Sequence, residues 1–403
     1  MTKQTILVAG SGFAGVWASL AAARAVALAG RERDVEVVIV SPEPKLVMRP
    51  RLYEAVLENV NPDVSALLAA VGVRHLGGLV EAIGVDTHEA LVRRGDGREE
   101  TIAWDRFVLA AGSRLATPPV PGLAEFAFDV DQFASAHRLG AHLETLADRP
   151  ESAARNTAVV VGGGFTGLEG AAEMPGRLRA ALGADARVRV VIVDPAATIA
   201  AAMGDEAAEV VRGALGEIGV EQRPGVRVTA VDAGGVTLSD GSRVEAATVV
   251  WSAGQRAHPL ADEIPGERDA MGRVLGDGYL RAPDAPGIFV TGDTVKAATD
   301  DIGNFTVMSC QHALSLGRVA GHNAAAELVG LPLHAYSQPK YVTCLDLGPW
   351  GALYTEGWDR QVRLTRAEGK KVKQEINGIW IYPPAPDREA AFAVSGPDYV
   401  IVP

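Results

Sequence analysis

Residues 159–169, VVVGGGFTGLE, read as an apolar strand running into a glycine-rich turn and then a helix. Nearly the same words stand at residues 6–15, ILVAGSGFAG. No other feature restricts the fold as strongly. A G-x-G-x-x-G turn between a buried strand and a helix serves to bring backbone amides and a helix N-terminus against a pyrophosphate. One such turn suggests one nucleotide. Two suggest two nucleotides held so that electrons pass between them.

A lone fingerprint is weak in a chain with 45 glycines, so its context decides. Residues 5–9 (TILVA) are apolar and β-branched, as in a buried parallel strand. Gly10 permits the tight turn, Gly12 admits the phosphate, and Gly15 allows close helix packing. An alanine-rich helix is predicted over Phe13–Leu28, and the next strand is VEVVIVS, residues 35–41. The second copy repeats the plan with Gly162, Gly164 and Gly167, a helix, and VRVVIVD, residues 188–194. FVLAAGSR (107–114) and VVWSAGQR (249–256) then close each unit with a strand ending in Ala-Gly. The expected fold class is α/β: two Rossmann-like dinucleotide-binding domains plus a small α+β C-terminal domain.

The copies differ at the end of their second strand, where a carboxylate usually accepts hydrogen bonds from the adenosine ribose. The second copy has Asp194, which would repel a 2′-phosphate and favour NADH over NADPH. The alternative role for Asp194 is a helix cap in DPAA. The first copy has Ser41, with Glu43 two residues on.

The rest of the composition mostly excludes. A net charge of −12 argues against nucleic-acid binding. No apolar run reaches the roughly 18 to 20 residues of a membrane span, and the chain enters its first strand just after Lys3 without a signal peptide. It is expected to be cytoplasmic, with membrane association not expected. The two cysteines, Cys310 and Cys344, cannot form a disulfide framework or a vicinal dithiol and read as small buried apolar residues. The eight histidines show no ligand spacing, so no metal site is expected.

GIFVTGD (287–293), followed by MSCQHALSLGRVAGHN, completes a resemblance to the two-dinucleotide-binding-domain flavoproteins, the pyridine nucleotide-disulfide oxidoreductase superfamily. Within it, GGGFTGLE, VVWSAG and LVMRPRLYEAV are similar to the type II NADH dehydrogenases (NADH:quinone oxidoreductases). The resemblance covers about residues 4–325. It implies an FAD domain (1–120 and 257–330) with an inserted NAD(P)H domain (121–256), followed by a C-terminal domain (331–403) that covers the flavin or forms a dimer interface.

It assigns Gly10, Gly12, Phe13, Gly15, Gly112, Gly292 and Asp293 to FAD. Ala14, Ser41, Glu43, Arg51, Val80, Ala111, His312 and Ala313 are also taken as cofactor-binding. Gly162, Gly164, Gly167 and Asp194 go to NADH, together with Phe165, Thr166 and Gly254. Glu169 and Gln311 are the catalytic candidates. Glu169 would lie near nicotinamide and flavin as a positioning or proton-handling group, or else simply complement its helix dipole. The implied activity is hydride transfer from NADH to FAD and on to a small acceptor such as a quinone. A protein acceptor (ferredoxin- or rubredoxin-like) and a flavin-bound redox sensor stay open, as does a homodimer. A sulfide:quinone oxidoreductase is disfavoured, since no cysteine precedes Cys310.

Three departures qualify the match. Ser315 and Leu316 replace a Gln-Gln pair after Gln311. Residues 331–403 look like strands and turns instead of membrane-seated helices. Pro175 should leave the helix carrying Glu169 short or kinked. The basic run Lys370, Lys371, Lys373 reads as a solvated strand or hairpin tip, and Trp350, Trp358 and Trp380 as core or interface, with the site as the alternative.

Overall fold

The computed structural model describes residues 3–401. The first unit opens with β1 (Gln4–Ala9), α1 (Phe13–Leu28), β2 (Val35–Ser41), β3 (Arg74–Gly77) and β4 (Arg106–Leu109). The second contains β5 (Thr157–Val161), α2 (Phe165–Leu182), β6 (Arg189–Asp194), β7 (Val220–Pro224) and β8 (Thr248–Trp251). The chain then returns to the first unit through β9 (Ile288–Val290) and α3 (Cys310–Val329).

Two parallel sheets result, ordered β9-β4-β1-β2-β3 and β7-β6-β5-β8. The whole second sheet is threaded between β4 and β9 of the first, as the resemblance implied. The fold is α/β with two Rossmann-type units. The duplication also goes beyond the glycine turns. Before its closing strand each unit inserts a three-stranded antiparallel meander, over residues 79–103 in the first and 228–245 in the second. Those short, mixed-polarity strands carry no fingerprint of their own.

The continuous apolar runs of the second sheet follow from burial on both faces. Ala158, Val160, Val190, Ile192 and Val250 enter the main core, whereas Val159, Val161, Val191, Val193 and Val249 pack against Val228, Val231, Val236 and Leu238 of the meander. Alternate residues thus serve opposite layers.

Helix α1 needs no polar face because it is sandwiched; all but three of its residues are buried. Its outer neighbour is α3. A Cβ on Gly317 would lie 2.4 Å from the Ala14 carbonyl oxygen, and one on Gly321 2.0 Å from that of Ala18. These two helices therefore touch backbone to backbone.

Two expectations are corrected. Helix α2 is not short: it runs through Pro175 for 18 residues. Pro175 is buried, and the Gly348 backbone lies against the same turn, where a Cβ would stand 2.5 Å from the Ala172 carbonyl oxygen. Packing outweighs the roughly 3 kcal/mol local cost of the proline.

The C-terminal part is an antiparallel sheet of β10 (Val342–Asp346), β11 (Ala352–Glu356) and β12 (Gln361–Leu364), crossed by α4 (Arg366–Glu375). Lys370, Lys371 and Lys373 lie on α4, not on a strand or hairpin tip. The buried face here is Gly369, Lys373 and, just beyond, Asn377. Its i, i+4 spacing is helical, yet the residues are polar or lack a side chain, so a hydrophobic period does not reveal it.

Candidate functional site

One cavity of about 890 Å³ runs between the two units and under the C-terminal sheet. Both glycine turns open into it. Gly10 and Gly162 take φ of +110° and +113°, which tightens each turn against its closing strand. Gly15 and Gly167 do not line the cavity. A Cβ there would stand 1.8 Å from the Gly10 oxygen and 1.9 Å from the Gly162 oxygen, so their task is to let each helix abut its own turn. At Gly12 and Gly164, by contrast, a Cβ would meet nothing within 4 Å. The space in front of both helix N-termini is open.

Of the residues assigned to cofactors, Gly10, Gly12, Phe13, Ala14, Ser41, Val80, Ala111, Gly112, Gly292, Asp293 and Ala313 line the first half of the cavity. Gly162, Gly164, Phe165, Thr166, Asp194 and Gly254 line the second, and Glu169 and Gln311 are also at its wall. Glu43, Arg51 and His312 are not. Glu43 is 62% exposed and pairs with Lys45. Arg51 turns away to Glu54 at 2.7 Å and to the Tyr382 hydroxyl, and the Glu54 carboxylate raises its pKa. His312 is fully buried behind the wall, stabilising the start of α3 through Ser309, and burial pushes its pKa down to about 3.

The arginine that reaches the cavity is Arg49, two residues earlier on the same 3-10 turn. It donates to the Ser113 hydroxyl at 3.1 Å, to the Asp131 carbonyl oxygen at 3.1 Å and to the Asp131 carboxylate. Ser113 in turn donates to Asp293 at 2.7 Å. Asp293, on the loop after β9, is therefore oriented before any ligand arrives.

At the second strand ends, Asp194 accepts from the Gly163 amide at 2.5 Å and the Ala196 amide at 2.8 Å. No helix starts there, so the carboxylate braces the turn instead of capping a helix. Ser41 donates to the Glu43 carbonyl oxygen at 2.7 Å.

Between the two halves lies a buried polar cluster. Glu169 sits in the second turn of α2, beyond reach of the helix end, and is 6% exposed. It accepts from Lys373 Nζ at 2.7 Å and from the Asp346 amide at 3.0 Å. Burial raises its pKa against the pull of Lys373. Burial works the other way on Lys373, yet Glu169 prevails and the ammonium is raised. Asp346 accepts from Tyr53 at 3.1 Å and from Lys370 at 2.7 Å, which links the pair to a partly exposed lysine. Lys373 was hidden from sequence reasoning because its partner lies 204 residues away.

Cys310 and Cys344 are free, lie at the cavity wall, and burial pushes their pKa values up to about 11 and about 12. Trp380 is at the wall too, while Trp358 stacks on Tyr341 at 4.4 Å and Trp350 lies under Arg366. Among the described residues no group of three or more His, Cys, Asp or Glu could hold a metal, and no helix is long and apolar enough to cross a membrane.

Two Rossmann-type units facing each other across one cavity define an NAD(P)H oxidoreductase of the two-dinucleotide-fold class. The chain belongs to the pyridine nucleotide-disulphide oxidoreductase family, whose model matches residues 4–317 and whose members use a flavin and NAD(P)H. It is 46% identical over 382 residues to an NADH dehydrogenase-like protein of Mycobacterium tuberculosis, covering 94% of each chain. It is 26% identical to the demethylphylloquinone reductase of Synechocystis, covering 87% of this chain and 86% of that one. In fold it is similar to NDH2 of Plasmodium falciparum in complex with NADH, with a TM-score of 0.78 at 12% identity over 98% and 97% of the two chains.

Proposed function

We propose that the protein is an FAD-dependent NADH dehydrogenase that passes electrons to a small acceptor such as a quinone. The observation that carries the reading is that both glycine turns open into a single cavity, with the Glu169–Lys373 pair between them. The residues fit an extended dinucleotide in each half: the open space at Gly12 and Gly164 precedes a helix N-terminus, where backbone amides favour a diphosphate. In the first half Gly10–Phe13, Ala111–Gly112 and Asp293 would hold FAD. In the second, Gly162–Thr166 and Asp194 would hold NADH. Bound FAD supplies the two-electron acceptor that no side chain here provides.

The chain's own part is to position and to manage protons. Asp293, fixed by Ser113 and Arg49, presents an oriented acceptor. The ion pair keeps a proton on Lys373 Nζ beside Glu169 Oε1 in a nearly buried site at the cavity wall, with Asp346 and Lys370 leading outward. Glu169 accordingly acts as a positioning and proton-holding group, not a nucleophile.

Quinone as acceptor is supported by the quinone reductases among the relatives. The C-terminal sheet and the polar helix α4 favour short, water-soluble quinones over long-tailed ones in lipid. The purified protein should be yellow, release FAD and not FMN on denaturation, and be bleached by NADH more efficiently than by NADPH. A folded, colourless protein would overturn the reading.

A further inference from the structure

The turn that joins β11 to β12 reaches across to the second unit. Its tip packs on Gly204, where a Cβ would lie 3.6 Å from the Asp359 carbonyl oxygen. Arg360, the last residue of the turn, donates to the carbonyl oxygen of Ala202. Both contacts fall on the loop that follows Asp194. The Arg360 guanidinium also lies 5.6 Å from the ring centre of Phe165, the first residue of α2 after the Gly164 turn. It is thus a cation from a different part of the chain, held at the cavity wall beside the helix N-terminus of the second unit.

The arrangement leaves one polar group without a partner. Arg360 has φ of +54°, the left-handed conformation usual at the end of a hairpin turn. Its Nη1 is held by Ala202 and Met203, but its Nε is shut off from solvent with no acceptor. An arginine at the cavity wall with one N–H unpaired can complete its hydrogen bonds on a ligand by a small turn of the side chain.

We propose that Arg360 is a binding residue that clamps the diphosphate of NADH from the C-terminal sheet, opposite the amides of α2. The proposal rests on the assignment of NADH to the second unit. A guanidinium suits a diphosphate, being planar, permanently charged and able to make two parallel hydrogen bonds. Asp194 deters a 2′-phosphate, and Arg360 would attract the phosphates that every such cofactor carries. It would also tie the C-terminal sheet to the occupied cavity.

The test is equilibrium binding to the flavin-containing protein, with ADP-ribose as the diphosphate probe and adenosine as the probe without phosphate. Arg360→Gln should weaken ADP-ribose roughly tenfold or more and leave adenosine within twofold. KM for NADH should rise in step while kcat changes little, and Arg360→Lys should recover part of the loss. An equal loss for both probes, or a fall in kcat and melting temperature without a binding difference, would assign Arg360 a structural role and overturn the proposal. So would a loss confined to 2′,5′-ADP. Wild-type protein that binds no ADP-ribose at all would instead remove the assignment of NADH to this unit, and the proposal with it.

Discussion

The two Rossmann-type units are close copies in their turns and quite different in what surrounds them. Both turns have a left-handed first glycine, an open middle glycine and a third glycine whose Cβ would strike the turn at under 2 Å. The first half of the cavity is surrounded by fixed polar groups: Arg49, Ser113 and Asp293 of the first unit are bonded to one another, and Asp131 of the second is bonded to Arg49. The second has Asp194 at its strand end, and Arg360 reaches it from the C-terminal sheet. A half held by a fixed polar network suits a resident cofactor, and one completed from a distant part of the chain suits a ligand that comes and goes.

The sharpest way to break this division is to fill the matched glycines. Gly15→Ala and Gly167→Ala should each destabilise their unit by about 3 kcal/mol. The first should purify without flavin. The second should stay yellow but no longer be bleached by NADH. Identical behaviour, read by flavin content and anaerobic titration, would show that the turns do not divide the cofactors.

The cluster between the halves should respond nearly as strongly. Lys373→Met leaves Glu169 buried without its cation and should cost about 3–5 kcal/mol in chemical denaturation, whereas adding Glu169→Gln should restore much of it. If the double variant is as unstable as the single one, the pair is not the unit that matters.

At the strand ends the contrast is between Asp194 and Ser41. Asp194→Ala should narrow the NADH-over-NADPH preference by roughly tenfold, about 1.4 kcal/mol, with flavin retained. Ser41→Asp in the first unit should leave that preference unchanged. Stopped-flow flavin reduction checks both.

The smallest effect is acid sensitivity, shared between the units. Burial, with Arg149 nearby, holds His142 down to about 4, and burial holds His312 down to about 3. Unfolded imidazoles bind protons below about 6.5, the folded ones only near those lower values, so the unfolded state binds more protons in between. Stability should therefore be full above pH 6.5 and fall as pH drops toward 3–4. His142→Gln should flatten the melting-temperature slope in that window by removing the second unit's share, and His312→Gln the first's.

What could be read from the sequence was what neighbouring residues write together. The glycine turns, the bounds of α1 and β2, and the Ala-Gly closing strands depend on local spacing and emerged directly. Arg49, Lys373 and Arg360 did not, because each gains meaning from a partner 82, 204 or 158 residues away. In MRPRL both arginines look alike until the 3-10 turn sends one inward and the other to Glu54. Lys373 looked solvated because its neighbours are lysines, and only a helix places it, Gly369 and Asn377 on one buried face. Pro175 misled for the converse reason: a local penalty was visible, whereas the sheet packed over it was not.

The bare contact between α1 and α3 bears on how the chain is made. Every strand of the second sheet comes from one continuous stretch, so it can assemble as soon as that stretch leaves the ribosome. The first sheet cannot. Its edge strand starts 260 residues after the end of α1 (288 minus 28) and the helix that seals α1 starts 282 after it (310 minus 28), and until then α1 exposes an apolar flank meant to be touched by glycines. The order of birth is thus the reverse of the order of completion, and the half synthesised first is the one most in need of protection while it waits.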